Sequence, residues 1–162
     1  MAWPGSIVSL FIEGARGSRK VQPAGVDLSV AEIYKASEQG VLGREERILP
    51  RYVELKPSTN SWTLKPGYYI VRFAEAVEIP VNAVGLCFPR STLLRMGATL
   101  HCAVWDPGYR GRGYALLAVY NENGVRIEKN ARIAQMVYLS LTALPSHTYE
   151  GRYQGEGLGD NS

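Results

Sequence analysis

Glycine and proline punctuate this chain from end to end, 17 and 9 of them in 162 residues, and cut its apolar residues into short stretches rich in Val, Ile, Tyr and Leu. Stretches of that kind, separated by turn formers, are the pattern of an all-β sandwich or barrel and leave little room for long helices. The pattern predicts strands over 7–12, 26–30, 51–55, 68–73, 83–88, 98–104, 114–120, 125–128 and 132–139. Lys65-Pro66-Gly67 suits a tight turn with glycine at a positive φ, and Asn121-Glu122-Asn123-Gly124 ends in the Asn-Gly pair favoured in hairpins. One short helix is expected at 91–96, with Ser91 as its cap and Leu93, Leu94 and Met96 on its apolar side. Segment 29–39 reads two ways: Ser29 followed by Glu32 resembles a capping box, while Ile33-Tyr34 continues a strand, and strand is the reading adopted.

The length suits one domain with a substantial core, and 46% hydrophobic with 20% charged residues is ordinary globular usage. A net charge of +3, carried by scattered Lys and Arg, gives no electrostatic case for nucleic-acid binding but allows small anions. Cys87 and Cys102 lack zinc or redox spacing and read as buried free thiols; His101 and His147 are too isolated for zinc. The apolar run 7–12 is too short to span a bilayer and lacks a basic leader, so a soluble cytoplasmic protein without a membrane partner is expected. The last dozen residues are Gly-rich and polar, a tail expected to be mobile until something orders it.

Five segments carry the residue types of a site. In Trp105-Asp106-Pro107-Gly108-Tyr109-Arg110-Gly111-Arg112-Gly113 a single carboxylate is pinned among turn formers, suited either to aiming a water as general base or to capping a hairpin corner. Pro89-Arg90-Ser91-Thr92-Leu93-Leu94-Arg95 sets an arginine and two hydroxyls at a helix start, which suits phosphate as well as simple capping. Gln22-Pro23-Ala24-Gly25-Val26-Asp27-Leu28 places an acid at a strand entry. Gln135, amid apolar neighbours in 132–139, must satisfy its amide on a ligand's base edge or across the sheet. Tyr149-Glu150-Gly151-Arg152-Tyr153-Gln154-Gly155 opens the tail with cations and rings able to close over an anionic ligand, or simply to fray. Together they describe a nucleotide site without a nucleophile triad or metal cage.

In order and spacing these segments resemble the five motifs of the dUTPase and dCTP deaminase superfamily, from about Gln22 to Gly155. The resemblance implies a distorted β-barrel or jelly-roll subunit of the β-clip kind over 1–150, a tail over 151–162 that closes on the nucleotide, and a homotrimer with sites at subunit interfaces. It further implies Asp106 as the base activating water, Mg²⁺ as cofactor and Asp27 as a support of its hydration shell. Arg90, Ser91, Thr92, Arg95 and Arg152 would hold phosphates. Tyr109 would pack on the deoxyribose, and Gln135 with backbone near 101–104 would read the base. Deaminases of the superfamily carry a glutamate on the strand after the third motif; here 114–121 contains no acid, and the equivalent position is Ala118 or Leu116 depending on the end from which it is counted. The implied activity is therefore hydrolysis of dUTP to dUMP and pyrophosphate. Three departures stand out: Thr92 replaces a usual serine, Glu156 stands near a position where deaminases bear an amide, and no tail phenylalanine is present to stack on uracil, a part left to Tyr149 or Tyr153, with Gln154 next to the latter as a further nucleotide contact. The deaminase-like Arg95 and tail keep a dCTP deaminase or bifunctional enzyme as one alternative, and Glu156 keeps a non-catalytic nucleotide-binding regulator as another.

Overall fold

The computed structural model describes residues 1–159. Helix α1 (Gly5–Val8) and a 3₁₀ turn (Ser9–Phe11) precede strands β1 (Val21–Gln22), β2 (Gly25–Ala36), β3 (Val41–Leu42), β4 (Arg47–Ile48), β5 (Tyr52–Glu54), β6 (Ser61–Leu64), β7 (Gly67–Phe73), β8 (Val77–Glu78) and β9 (Ala83–Pro89). Helix α2 (Ser91–Arg95) leads to β10 (Ala98–His101), β11 (Arg110–Gly111), β12 (Tyr114–Val119), β13 (Val125–Glu128) and β14 (Arg132–Ser140). The principal sheet runs β10-β12-β7-β2-β14-β9, all antiparallel. Its ends approach each other where Gly85 of β9 and Trp105 exchange two backbone hydrogen bonds of 2.9 and 3.0 Å. That bridge nearly closes a barrel, the form expected for an all-β chain, and it sets Trp105 and Asp106 beside the seam. No helix among the described residues is long and apolar enough to cross a membrane.

Strand β2 is the spine. Val26, Leu28 and Val30 alternate into the core, then a bulge between Val30 and Glu32 shifts the register so that Ile33, opposite Val71, points inward instead of residue 32. One extra residue in a strand inverts its period-2 pattern, and 29–36 is the continuation of β2, the strand reading adopted, and not a helix start. The two signalled turns form: Gly67 and Gly124 both have positive φ, and the Gly124 N–H donates to the Asn121 carbonyl at 2.8 Å.

Three expectations are corrected. The run 7–12 is helical through Phe11, with Val8 and Ser9 buried while Ile7 and Leu10 face solvent, and Ile12 is extended and bridges Val77. The Pro4 carbonyl accepts from the Ile7 and Val8 N–H groups to start the turn. Helix α2 ends at Arg95, and its cap position is Arg90, without a side-chain capping bond, so Ser91 lies inside the helix. Strand β6 was missed: its buried Ser61, Trp62 and Leu64 sit among Thr and Lys, and its partner β13 is distant in sequence. Both cysteines are free, as expected, with Cys87 buried.

Candidate active site

The site residues fall into two groups. The first is a charged corner where β2, β9 and β14 meet. Antiparallel register puts Gln135 opposite Asp27 on one side and Phe88 on the other, and the Arg90 N–H donates to the Ile133 carbonyl at 2.9 Å, tying the Arg90 segment to β14. Asp27 is 1% exposed. Its Oδ2 faces Arg90 Nε at 3.3 Å and accepts hydrogen bonds from Arg132 Nη1 and Gln22 Nε2, each at 3.1 Å. Burial pushes the Asp27 carboxyl above the usual aspartate range, opposed by the two guanidinium groups and the Gln22 amide. Ser91, Thr92 and Arg95 lie just beyond, exposed on α2.

The second group is an aromatic cavity of about 500 Å³ whose walls include His101, Val104, Trp105, Asp106, Tyr109 and Leu116. Pro107 and Gly108, at φ +86°, turn the chain so that the Gly108 N–H reaches the Ile79 carbonyl at 2.9 Å. Trp105 lies over Gly113, where a β-carbon would come within 2.5 Å of the indole. Tyr109 stands edge-on to Trp105, with centroids 5.1 Å apart, and edge-on to Tyr149 at 5.6 Å. The Asp106 side chain is exposed at the cavity wall, and no hydrogen bond or ion pair ties its carboxylate to a described residue.

The tail lies against this turn. The Tyr149 N–H donates to the Pro107 carbonyl at 2.8 Å. The Gln154 side chain accepts from the Arg110 N–H and donates to the Gly108 carbonyl, both at 2.9 Å, imitating a peptide group in a strand. Tyr149 and Tyr153 line the cavity, while Arg152 is exposed and makes no ion pair among the described residues. Residues 160–162 of the expected mobile tail lie outside the described residues.

Sequence reasoning overlooked several members. Arg132 opens the expected strand 132–139 but carries no role in the sequence reading; a buried strand acid needs cationic partners, and that requirement is the signal that could have found it. Trp105, Tyr114 and Glu156 also line the cavity, and nothing in their spacing announces it. Gln135 belongs to the charged corner, whereas 101–104 lies at the cavity, so within one chain the two do not meet as joint readers of a base. No corner residue lines the cavity at all.

For a metal, the donors are sparse. Among the described residues no cluster of three His, Cys, Asp or Glu is placed to hold an ion. Asp27 Oδ1 is buried without a hydrogen-bond partner, an acceptor left over for water, while Oδ2 is taken by cations and an amide. This set fits an ion held mostly by water and phosphate oxygens rather than by protein ligands.

The profile of the dCTP deaminase-like family matches residues 8–141. The chain belongs to that family. Within it, the chain is 48% identical over 152 residues to a probable deoxyuridine 5'-triphosphate nucleotidohydrolase of Aeropyrum pernix, covering 94% of this chain and 96% of the relative. It is 44% identical over 140 residues to the deoxyuridine 5'-triphosphate nucleotidohydrolase of Methanocaldococcus jannaschii, covering 84% and 88%. Its fold matches a dCTP deaminase structure from Agrobacterium tumefaciens with a TM-score of 0.65 at 20% identity, over 85% of this chain and 47% of that one. Leu116 lines the cavity and Ala118 does not, so the strand that faces the cavity presents an apolar side chain there. Among the described residues, the acids lining the cavity are Asp106 and, from the tail, Glu156.

Proposed function

We propose that the protein is a dUTP diphosphatase, with the aromatic cavity as nucleoside subsite and the charged corner as phosphate subsite. The observation that carries this reading is the pairing of an untethered Asp106 carboxylate at the cavity with a β12 wall that bears no acid. Deamination needs an acid/base positioned on the ring, because ammonia is a poor leaving group. Phosphoryl transfer needs alignment and charge neutralisation, which a turn-mounted carboxylate and arginines supply.

Asp106 accepts a proton from water as its oxygen attacks the α-phosphorus; the bond from that phosphorus to the β-bridging oxygen breaks, and pyrophosphate leaves. Tyr109 packs on the deoxyribose, where a 2′-hydroxyl would collide. Arg90, Ser91, Thr92 and Arg95 hold phosphates, Gln135 lies beside them, and Arg152 with Tyr149, Tyr153 and Gln154 closes the site from the tail. When bound, Mg²⁺ supplies charge neutralisation on the triphosphate, and Asp27 would reach it through water. Corner and cavity are separate within one chain, so a triphosphate bound across both implies that neighbouring copies bring them together. That separation supports sites at subunit interfaces, and the assembly implied by the family resemblance is a homotrimer. The expected compartment is the cytoplasm.

Incubation with dUTP and with dCTP in parallel tests the reading. With Mg²⁺, dUTP should give dUMP and pyrophosphate, dCTP should give no ammonia, and Asp106→Asn should lower kcat about 10³-fold, the scale of a lost general base. Ammonia from dCTP, or undiminished turnover by Asp106→Asn, would sink it.

A further inference from the structure

The tail and the Asp106 turn are joined by more than ring packing. Beside the Gln154 contacts, the Gly155 N–H donates to the Arg110 carbonyl and the Arg112 N–H donates to the Glu156 carbonyl, both at 2.8 Å. These bonds extend a short strand-like ladder along 108–112. One side chain completes it: Glu156 Oε1 accepts the Tyr109 hydroxyl at 2.8 Å. Trp105 and Tyr149 fix the plane of the buried Tyr109 ring, and among the described residues Glu156 is the hydrogen-bond partner of its hydroxyl end.

We propose that Glu156 is a positioning residue of the cavity, its carboxyl group locking the tail onto the Asp106 turn and holding the Tyr109 ring where the sugar must pack. The inference rests on reading this cavity as the nucleoside subsite. A contact that seats the ring without touching the phosphorus acts on binding rather than on chemistry, so its loss falls on KM and spares kcat.

The surroundings of Glu156 give this lock a pH dependence. Tyr109 meets it from the turn, Tyr114 faces it from β12, and Tyr149, Asp106 and His101 line the same cavity. The Arg112 guanidinium is directed to Glu13 and to the Ala74 and Gly157 carbonyls, and Arg110 lies 3.9 Å from Glu78, so neither cation serves Glu156. Burial raises the Glu156 carboxyl above the usual glutamate range, opposed by the Tyr109 hydrogen bond. A carboxyl raised in the docked tail favours the docked form when protonated. Docking therefore weakens, and KM climbs, as pH rises from the ordinary glutamate range through the raised pKa.

The test uses Glu156→Ala, Glu156→Gln, Tyr109→Phe and the double variant Tyr109→Phe/Glu156→Ala. Glu156→Ala and Tyr109→Phe should each raise KM for dUTP about five- to tenfold with kcat within about twofold, the fold-change expected of one hydrogen bond. The double variant should be no worse than either single one. Glu156→Gln keeps an acceptor oxygen but no ionisation, so it should retain the wild-type KM at low pH and lose the rise. Multiplying effects in the double variant, a loss confined to kcat, or Glu156→Gln behaving like Glu156→Ala would overturn the proposal. Amide exchange at 108–112 and 154–156 in nucleotide-free protein reads the lock without any substrate. It should quicken about tenfold in Glu156→Ala and stay near wild type in Glu156→Gln. Unchanged exchange in Glu156→Ala overturns the lock even in an active dUTPase. Quickened exchange in a protein that turns over no dUTP leaves the lock standing and removes the nucleoside reading instead.

Discussion

The charged corner and the aromatic cavity are organised by opposite means. The corner is made by register: three long strands of one sheet put Asp27, Arg132 and Gln135 in fixed opposition, Arg90 is tied to β14, and the carboxylate is sealed at 1% exposure. The cavity is made by a loop and a chain end, with Trp105, Tyr109 and Tyr149 leaning on one another edge to face and a few polar contacts holding the tail. Charges that must neutralise a triphosphate gain from a frame that cannot relax, since dipoles already in place cost no reorganisation on binding. A pocket that must admit and release a nucleoside gains from walls that can open. Damage to the corner should therefore appear in folding and function together, and damage to the cavity chiefly in binding.

The strongest way to break this contrast is Asp27→Ala. The variant leaves Arg90 and Arg132 facing each other across a buried vacancy. Loss of one partner of a fully buried pair costs about 3–5 kcal/mol, and here about 2–3 kcal/mol is expected because both guanidinium groups keep partial contact with water. Urea unfolding should show that drop alongside a large fall in dUTP turnover. Full stability in the variant would mean that register alone, without the ion cluster, holds the corner.

Gly113→Ala sharpens the other side. A β-carbon there would meet the Trp105 indole at 2.5 Å, and the ring, packed between Phe73 and Tyr109, must shift to make room. Overpacking of this kind costs about 1–3 kcal/mol. The KM for dUTP should rise more than kcat falls, because Tyr109 shifts with Trp105. A kcat loss with unchanged KM would place the indole in the chemistry and undo the division between the two regions.

The same contrast decides what could be read from the sequence. Period-2 alternation exposed the strands that carry the corner, and Asp27, Arg90 and Gln135 were each singled out, but their convergence depends on long-range pairing of β2 with β14 and β14 with β9. Arg132 escaped because its partner lies 105 residues away in the chain. The bulge after Val30 blurred the alternation of β2, and the helical turns over 5–11 were hidden because the short apolar run 7–12 reads as a strand. For the cavity, the turn chemistry of Asp106-Pro107-Gly108 was legible because backbone angles are encoded locally. Glu156 was noticed only as a misplaced acid; its hydroxyl partner 47 residues back could not be inferred from spacing.

The mildest expected effect lies at Arg152, where the two regions differ in charge supply rather than in frame. Its side chain is exposed and makes no ion pair among the described residues, unlike Arg90 and Arg132, which are committed to Asp27. Arg152→Ala should change unfolding free energy by less than about 0.5 kcal/mol, as for an ordinary surface substitution. If the tail brings this cation to the triphosphate, KM for dUTP should still rise about three- to tenfold at low ionic strength. The deficit should shrink as salt is added, because an exposed charge acts through solvent within a Debye length of about 10 Å at 0.1 M. The corner arginines, each paired with the buried Asp27, should show a weaker salt dependence in parallel Ala variants. Equal salt dependence for Arg152 and Arg90 would show that both regions meet the nucleotide through solvent, leaving the sealed frame of Asp27 to serve folding alone.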